Sequence, residues 1–268
     1  MRPAGGLEAA LRRRLESGGK CLVPYLTGGL REDWLEVVRA IAGAGADAVE
    51  VGIPFSDPVM DGPTIQQASD RALRSGATPV SVLDELATVD AGVPLAVMTY
   101  YNIVYRFGHE RFARTLVSSG VAAAILPDLP LEESGAWTAA ADLAGVETVM
   151  LAAPTAPDER LPLVCHRARG FVYGVGLLGV TGERSELARS ATVIARRLKS
   201  VTDKPVLVGV GISSPAQAAE VCADADGVVV GSAIVRRLLE GADPEQIAAT
   251  VAEFREALDV LAAGVGQG

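Results

Sequence analysis

The chain has 268 residues, 49% hydrophobic and only 4% aromatic, and a formal net charge of −9. That length suits one large α/β domain, since α/β barrels run to about 250 residues as single domains. The acidic balance argues against nucleic acid and against an anionic membrane surface, both of which want clustered Lys and Arg. It leaves room for an anionic small substrate, because backbone N–H groups alone can hold a phosphate.

The three cysteines, Cys21, Cys165 and Cys222, are scattered and form no C-x-x-C, so neither a disulfide framework nor a zinc site is expected. With His109 and His166 the only histidines, no His-rich metal site is expected either. The N-terminus carries Arg2, Gly5, Gly6 and a charged amphipathic run, with no apolar segment of signal-peptide length. No run reaches the roughly 18 apolar residues of a membrane span. The expectation is a cytoplasmic protein, one domain over residues 1–268.

In chain order, Leu7, Leu11 and Leu15 at i, i+4 spacing predict an extra N-terminal helix that covers one end of a sheet. Short apolar runs then alternate with amphipathic segments. Strands are read at 21–26, 47–51, 94–98, 121–126, 146–151, 170–175, 205–209 and 226–230. Helices follow at 33–43, 63–74 with 79–88, 110–118, 131–144, 158–168, 190–200, 214–223 and 243–262, with a short helix from Ala233 to Glu240 before the last. Strands each followed by a helix imply parallel pairing with right-handed crossovers, and eight such repeats imply a (β/α)8 TIM barrel. An open doubly wound sheet is the competing architecture, but Thr27-Gly28-Gly29 after the first strand lacks the G-x-G-x-x-G spacing of that fold. Ala263 to Gly268 read as a loose tail.

In such barrels the active site sits at the C-terminal ends of the strands. This rule selects Tyr25, Glu50 to Asp61, Thr99 to Asn102, Asp128, Tyr173 to Gly182, Gly211 to Ser213, and Gly231 with Ser232. Glu50 stands out, because it lies inside a strand where parallel sheets carry apolar side chains and a buried carboxylate is costly. It is an acid/base group or one half of an internal salt bridge. Asp61, on the following loop, is a second carboxylate over the same cavity or a cap for the helix opening at Gly62-Pro63. Gly211 and Ile212 after strand 7, with Gly231 and Ser232 at the short helix, match the usual phosphate position of these barrels; the bland reading is glycines that end strands. The glycine-rich run 174–184 is a lid or an ordinary long loop. Asp128 reads as a possible cap for helix 4, His109 and His166 as residues without a special role, and Trp34 and Trp137 as packing residues.

Val49-Glu50-Val51-Gly52-Ile53-Pro54-Phe55-Ser56-Asp57-Pro58 followed by Asp61-Gly62-Pro63-Thr64-Ile65-Gln66 closely resembles the signature of the tryptophan synthase α-subunit family. The resemblance continues through 127–134, 170–173, Gly179-Val180-Thr181-Gly182, 211–215 and 231–235, nearly the whole chain. It implies a barrel that cleaves indole-3-glycerol phosphate to indole and glyceraldehyde 3-phosphate. By resemblance Glu50 is the general acid/base and Asp61 binds the indole N–H. Tyr25, Ile65, Met98, Tyr100 and Ile125 fall at indole-pocket positions, and Tyr173 matches a tyrosine near Glu50. Gly182, Gly211, Ile212, Gly231 and Ser232 match the phosphate cradle, and Thr181 the lid threonine. The family implies an α2β2 assembly whose β-subunit holds pyridoxal phosphate, with no cofactor and no metal in this chain. The loop with Pro54 and Asp57 matches β-contacting surface.

Two stretches depart from the family pattern: Thr27-Gly28-Gly29-Leu30-Arg31 lacks the proline common there, and 174–178 lacks the usual small polar residues. They bear on lid behaviour and partner coupling, and they keep other functions open: a stand-alone indole-releasing lyase, a silent subunit that only activates a β-partner, or an unrelated phosphosugar barrel. Glu50 and Asp61 together speak against the silent subunit, and Asp61 against the unrelated phosphosugar barrel.

Overall fold

Alternating apolar strands and amphipathic helices close on themselves. A computed structural model describes residues 6–176, 184–209 and 211–265, without side chains for 184–189, 264 and 265. Eight parallel strands pair in chain order into a closed barrel: β1 (Cys21–Thr27), β2 (Val49–Gly52), β3 (Leu95–Met98), β4 (Val121–Ile125), β5 (Glu147–Ala152), β6 (Val172–Gly174), β7 (Val206–Val208) and β8 (Gly227–Val230). Closure is made by β1 against β8, in register from Cys21↔Gly227 to Pro24↔Val230. The open sheet is thereby ruled out. All eight strands fall where sequence alternation predicts them, with ends moved by one or two residues. β2 opens at Val49 rather than 47, because the Asp47 carboxylate accepts the Leu22 N–H and pairs with Arg255. β6 is confined to Val172–Gly174, shorter than the predicted 170–175.

The helices are α1 (Gly6–Glu16), α2 (Trp34–Gly43), α3 (Pro63–Arg74), α4 (Pro79–Leu86), α5 (Tyr101–Phe107), α6 (His109–Ser118), α7 (Gly135–Ala144), α8 (Leu161–Arg167), α9 (Arg184–Lys199), α10 (Pro215–Cys222), α11 (Ser232–Leu239) and α12 (Pro244–Val265). α5 is not foreseen by the sequence reading, where 99–102 is a loop. The Asp128 carboxylate accepts the Tyr101 N–H at 2.9 and 3.1 Å and caps it. Asp128 therefore caps α5, not the helix after β4. That helix, predicted over 131–144, starts only at Gly135, after a 3-10 turn at Leu131–Glu133. The helix predicted from 158 likewise opens with a 3-10 turn, Asp158–Arg160. α9 begins at Arg184, six residues before the predicted 190.

α1 closes the N-terminal mouth of the barrel. Leu7 and Leu11 are fully buried, and the Leu7 and Glu8 N–H groups donate to the Glu147 carboxylate at the start of β5, at 2.7 and 3.0 Å. A helix N-terminus leaves its first N–H groups without intrahelical partners, and a carboxylate there is favoured. This accounts for one of the two acidic residues buried within strands. The helix-facing sides of β5 to β7 pack Met150, Ala152, Val172 and Val206 against Leu161, Val164, Ile194 and Leu198 of α8 and α9. Trp34 and Trp137 are buried packing residues, as expected. Among the described residues no helix is long and apolar enough to cross a membrane.

Candidate active site

Side chains alternate across a strand, so one landmark fixes the rest. The Val51 side chain reaches outward beside Gly28 and Val82 of α4. Glu50 therefore points into the barrel. It pairs in register with Tyr25 on one side and Ala96 on the other, and Ala96 with Ala123. The two alanines leave room in front of the carboxyl. Glu50 is 1% exposed and, among the described residues, its Oε2 has no hydrogen-bond partner. The salt-bridge reading fails, since no cation pairs with it among the described residues.

Burial, and next the negative charge of Asp61, push the Glu50 carboxyl up to about 8. Asp61 is raised less, to about 6, by burial that a hydrogen bond from Tyr100 offsets in part. Near neutral pH the pair is therefore split, Glu50 protonated and Asp61 ionised. Such a split assigns one carboxyl to proton donation and leaves the other as a fixed anion. Asp61 is not a helix cap: the N-cap of α3 is Gly62, without a side-chain capping bond. From its neighbours alone the sequence favours the cap at Asp61; the loop geometry overturns that.

Tyrosines wall the cavity. The Tyr25 hydroxyl lies over Gly52, where a Cβ would stand 2.0 Å from it, and the Tyr173 hydroxyl lies over Gly209 at the same spacing. Tyr25 and Tyr173 both feel the charges of Glu50 and Asp61, which places all four groups around one space. Burial holds both hydroxyls well above the usual phenol range, so they stay neutral. Met98 and Ile125 are register partners on the cavity side of β3 and β4, and Ile65 packs on the core from α3. Tyr100 is buried, but its hydroxyl accepts the Met60 N–H at 3.0 Å.

These contacts make Gly52 a packing requirement. Gly52→Ala is expected to lower stability by about 1–3 kcal/mol through overpacking against Tyr25. Gly43→Ala, where nothing lies within 4 Å, is the control expected to be near neutral. Urea unfolding midpoints check both.

The phosphate candidates divide differently. Gly211 has φ of 79°, a left-handed conformation that glycine adopts without strain. Gly231 has a negative φ, and a Cβ there would meet Tyr25 only at an ordinary 3.6 Å. Packing does not demand glycine at 231; close approach of a ligand to the backbone would. Gly231 is the N-cap of α11, and Ser232 begins that helix one residue earlier than read from sequence. The first-turn N–H groups of a helix have no intrahelical partners and favour an anion. Ile212 is buried beside Gly211, while the Ser213 N–H is already taken by Gln217 Oε1. Thr181 and Gly182 lie outside the described residues. Among the described residues no group of three or more His, Cys, Asp or Glu could hold a metal ion.

Two features of the rim escape sequence reasoning. The Phe55 and Tyr100 rings stack at 5.0 Å, and Tyr101 Oη lies 3.0 Å from His109 Nε2 in an aromatic cluster with Tyr105. An aromatic residue inside a proline-rich loop, as Phe55 is, was the one available signal for the first.

The family model for the tryptophan synthase alpha chain matches residues 11–263. The tryptophan synthase alpha chain of Thermobifida fusca (strain YX) is 43% identical over 265 residues, 95% of this chain and 97% of that one. That of Streptomyces coelicolor is 48% identical over 82% of this chain and 80% of its own length. Among solved structures, Mycobacterium tuberculosis tryptophan synthase superposes with a TM-score of 0.88 at 37% identity, covering 96% of this chain and 99% of that one. The tryptophan synthase subunit alpha of Legionella pneumophila str. Paris gives 0.86 at 30% identity, covering 96% and 100%. With a closed barrel and a split carboxyl pair at its C-terminal mouth, this chain belongs to the tryptophan synthase alpha chain family.

Proposed function

We propose that this chain cleaves indole-3-glycerol phosphate by a retro-aldol reaction to indole and glyceraldehyde 3-phosphate, with Glu50 and Asp61 carrying the chemistry. One arrangement above all supports it: the buried Glu50 carboxyl, with Oε2 lacking a hydrogen-bond partner among the described residues, is pushed up to about 8, while Asp61, whose charge acts on it, is raised only to about 6. Glu50 delivers its proton to indole C3, and positive charge develops on the ring nitrogen. The Asp61 carboxylate accepts the ring N–H and balances that charge. The Glu50 carboxylate then removes the proton of the C3′ hydroxyl. The O–H electrons form the aldehyde C=O, and the C3–C3′ bond pair returns to the ring. Glu50 ends protonated, so the cycle closes.

Tyr25, Ile65, Met98, Ile125 and Tyr173 form the walls for the indole ring. Gly211, Ile212, Gly231 and Ser232 hold the phosphate, with Gly182 and the lid residue Thr181 completing the site. One barrel serves as the whole domain over residues 1–268. The reading calls for no cofactor in this chain. Its partner is a pyridoxal-phosphate β-subunit in an α2β2 assembly in the cytoplasm, which takes up the indole. No observation favours a stand-alone lyase or a silent activating subunit over this.

The test is indole release from indole-3-glycerol phosphate by the purified chain, alone and with a β-subunit. Release in both cases, faster with the partner, is expected. No indole in either case would overturn the proposal.

A further inference from the structure

The β2–α3 loop carries Asp61, yet little fixes it. Among the described residues, no backbone group from Pro54 to Asp61 hydrogen-bonds to another backbone group, and the Ser56 and Asp57 side chains bond only to each other. Val59 is 79% exposed. Among the described residues the loop's hydrogen bonds to other elements are two: Met60 N–H to the Tyr100 hydroxyl and Gln66 Nε2 to the Asp61 carbonyl; the Tyr100 hydroxyl also favours the ionised form of the Asp61 carboxyl. The stack of Phe55 on Tyr100 holds the loop's other end. Tyr100 is itself anchored: it is 3% exposed, it is the N-cap of α5, and Asp128 accepts the next backbone N–H.

We propose that Tyr100 is a positioning residue, gripping the loop at Phe55 and at Met60 so that Asp61 is held over the cavity in front of Glu50. This rests on the function proposed above and gives a role in it to Tyr100, which the resemblance puts at an indole-pocket position. With its hydroxyl committed to the loop, Tyr100 acts on the reaction through Asp61. A group misplaced by about 1 Å costs on the order of a hundred-fold in rate, which is the scale at stake.

The groups facing Asp61 are Tyr25 from β1, Glu50 from β2, Tyr100 after β3 and Tyr173 from β6, with Asp128 acting on Tyr100. Tyr100→Phe changes one of these and keeps the ring stack. It is expected to lower kcat by about ten- to a hundred-fold with a smaller change in KM. The acid limb of kcat/KM moves to higher pH, since the Tyr100 hydroxyl favours the ionised form of Asp61. The Met60 amide, which loses its acceptor, exchanges faster in the free protein. Unchanged kcat and limb would overturn the proposal, as would a rise in KM alone or a lower kcat with limb and exchange unmoved. Phe55→Leu, which keeps the hydroxyl, is the second variant; it too must speed exchange of the Met60 amide and lower kcat, and unchanged values sink the proposal even if Tyr100→Phe fails to fold. Failure of the lyase reading is separate: it appears as wild type releasing no indole, and the exchange measurement needs no substrate.

Discussion

Glu50→Gln is expected to lower indole release by about 10²- to 10⁴-fold, the range a positioned proton donor contributes. The upper end is expected, because the proposed cycle uses the same carboxyl for both proton transfers. The substitution is also expected to change stability in a pH-dependent way. The folded-state Glu50 sits near 8 against an ordinary 4.5, so between these values the folded chain binds the proton more tightly than the unfolded one. The stabilising contribution is whole below about 4.5 and is lost as pH rises through about 8. Glutamine removes this loss. The difference in stability between Glu50→Gln and wild type should grow in the variant's favour from pH 5 to pH 9, by on the order of a few kcal/mol at about 1.4 kcal/mol per unit. Urea midpoints at the two pH values check it. Wild-type indole release by Glu50→Gln, or a difference independent of pH, would count against the buried acid.

Asp61→Asn carries the second large effect. Removing a preorganised group aimed at developing charge costs about 10²- to 10³-fold in kcat. The pH profile gives a sharper readout. For wild type, kcat/KM should rise through about 6 as Asp61 ionises and fall through about 8 as Glu50 loses its proton. In Asp61→Asn the acid limb should vanish. The alkaline limb should move to lower pH, because the charge of Asp61 is one of the two causes that raise Glu50. An alkaline limb that stays in place would mean the two carboxyls do not share a cavity.

The legible part of the molecule followed from local pattern. Eight apolar runs at regular intervals, each followed by an amphipathic helix, are enough to require a parallel sheet, and the closed barrel is what eight such units form. Within that fold, the rule that sites gather at the C-terminal ends of strands picks out Glu50, Asp61, Tyr25 and Tyr173 before any coordinate is known. The acid in the middle of an apolar strand is conspicuous because burial makes it expensive. That information resides in residues three or four positions apart, which a reader of the chain can compare directly.

What tertiary structure decided lies between residues distant in sequence. Asp128 caps a helix beginning at Tyr101, so α5 exists where the local pattern offers only a strand end. Tyr25 covers Gly52 and Tyr173 covers Gly209, which turns glycines that look like strand stops into fitted space. Asp61 is free of the helix cap its neighbours suggest, and Tyr100 reaches back 40 positions to the Met60 amide. Sequence determined that two carboxyls are present and which end of the barrel they occupy. The order in which they titrate was settled only by folding, because desolvation and the charge of a neighbour depend on what closes over each group in space.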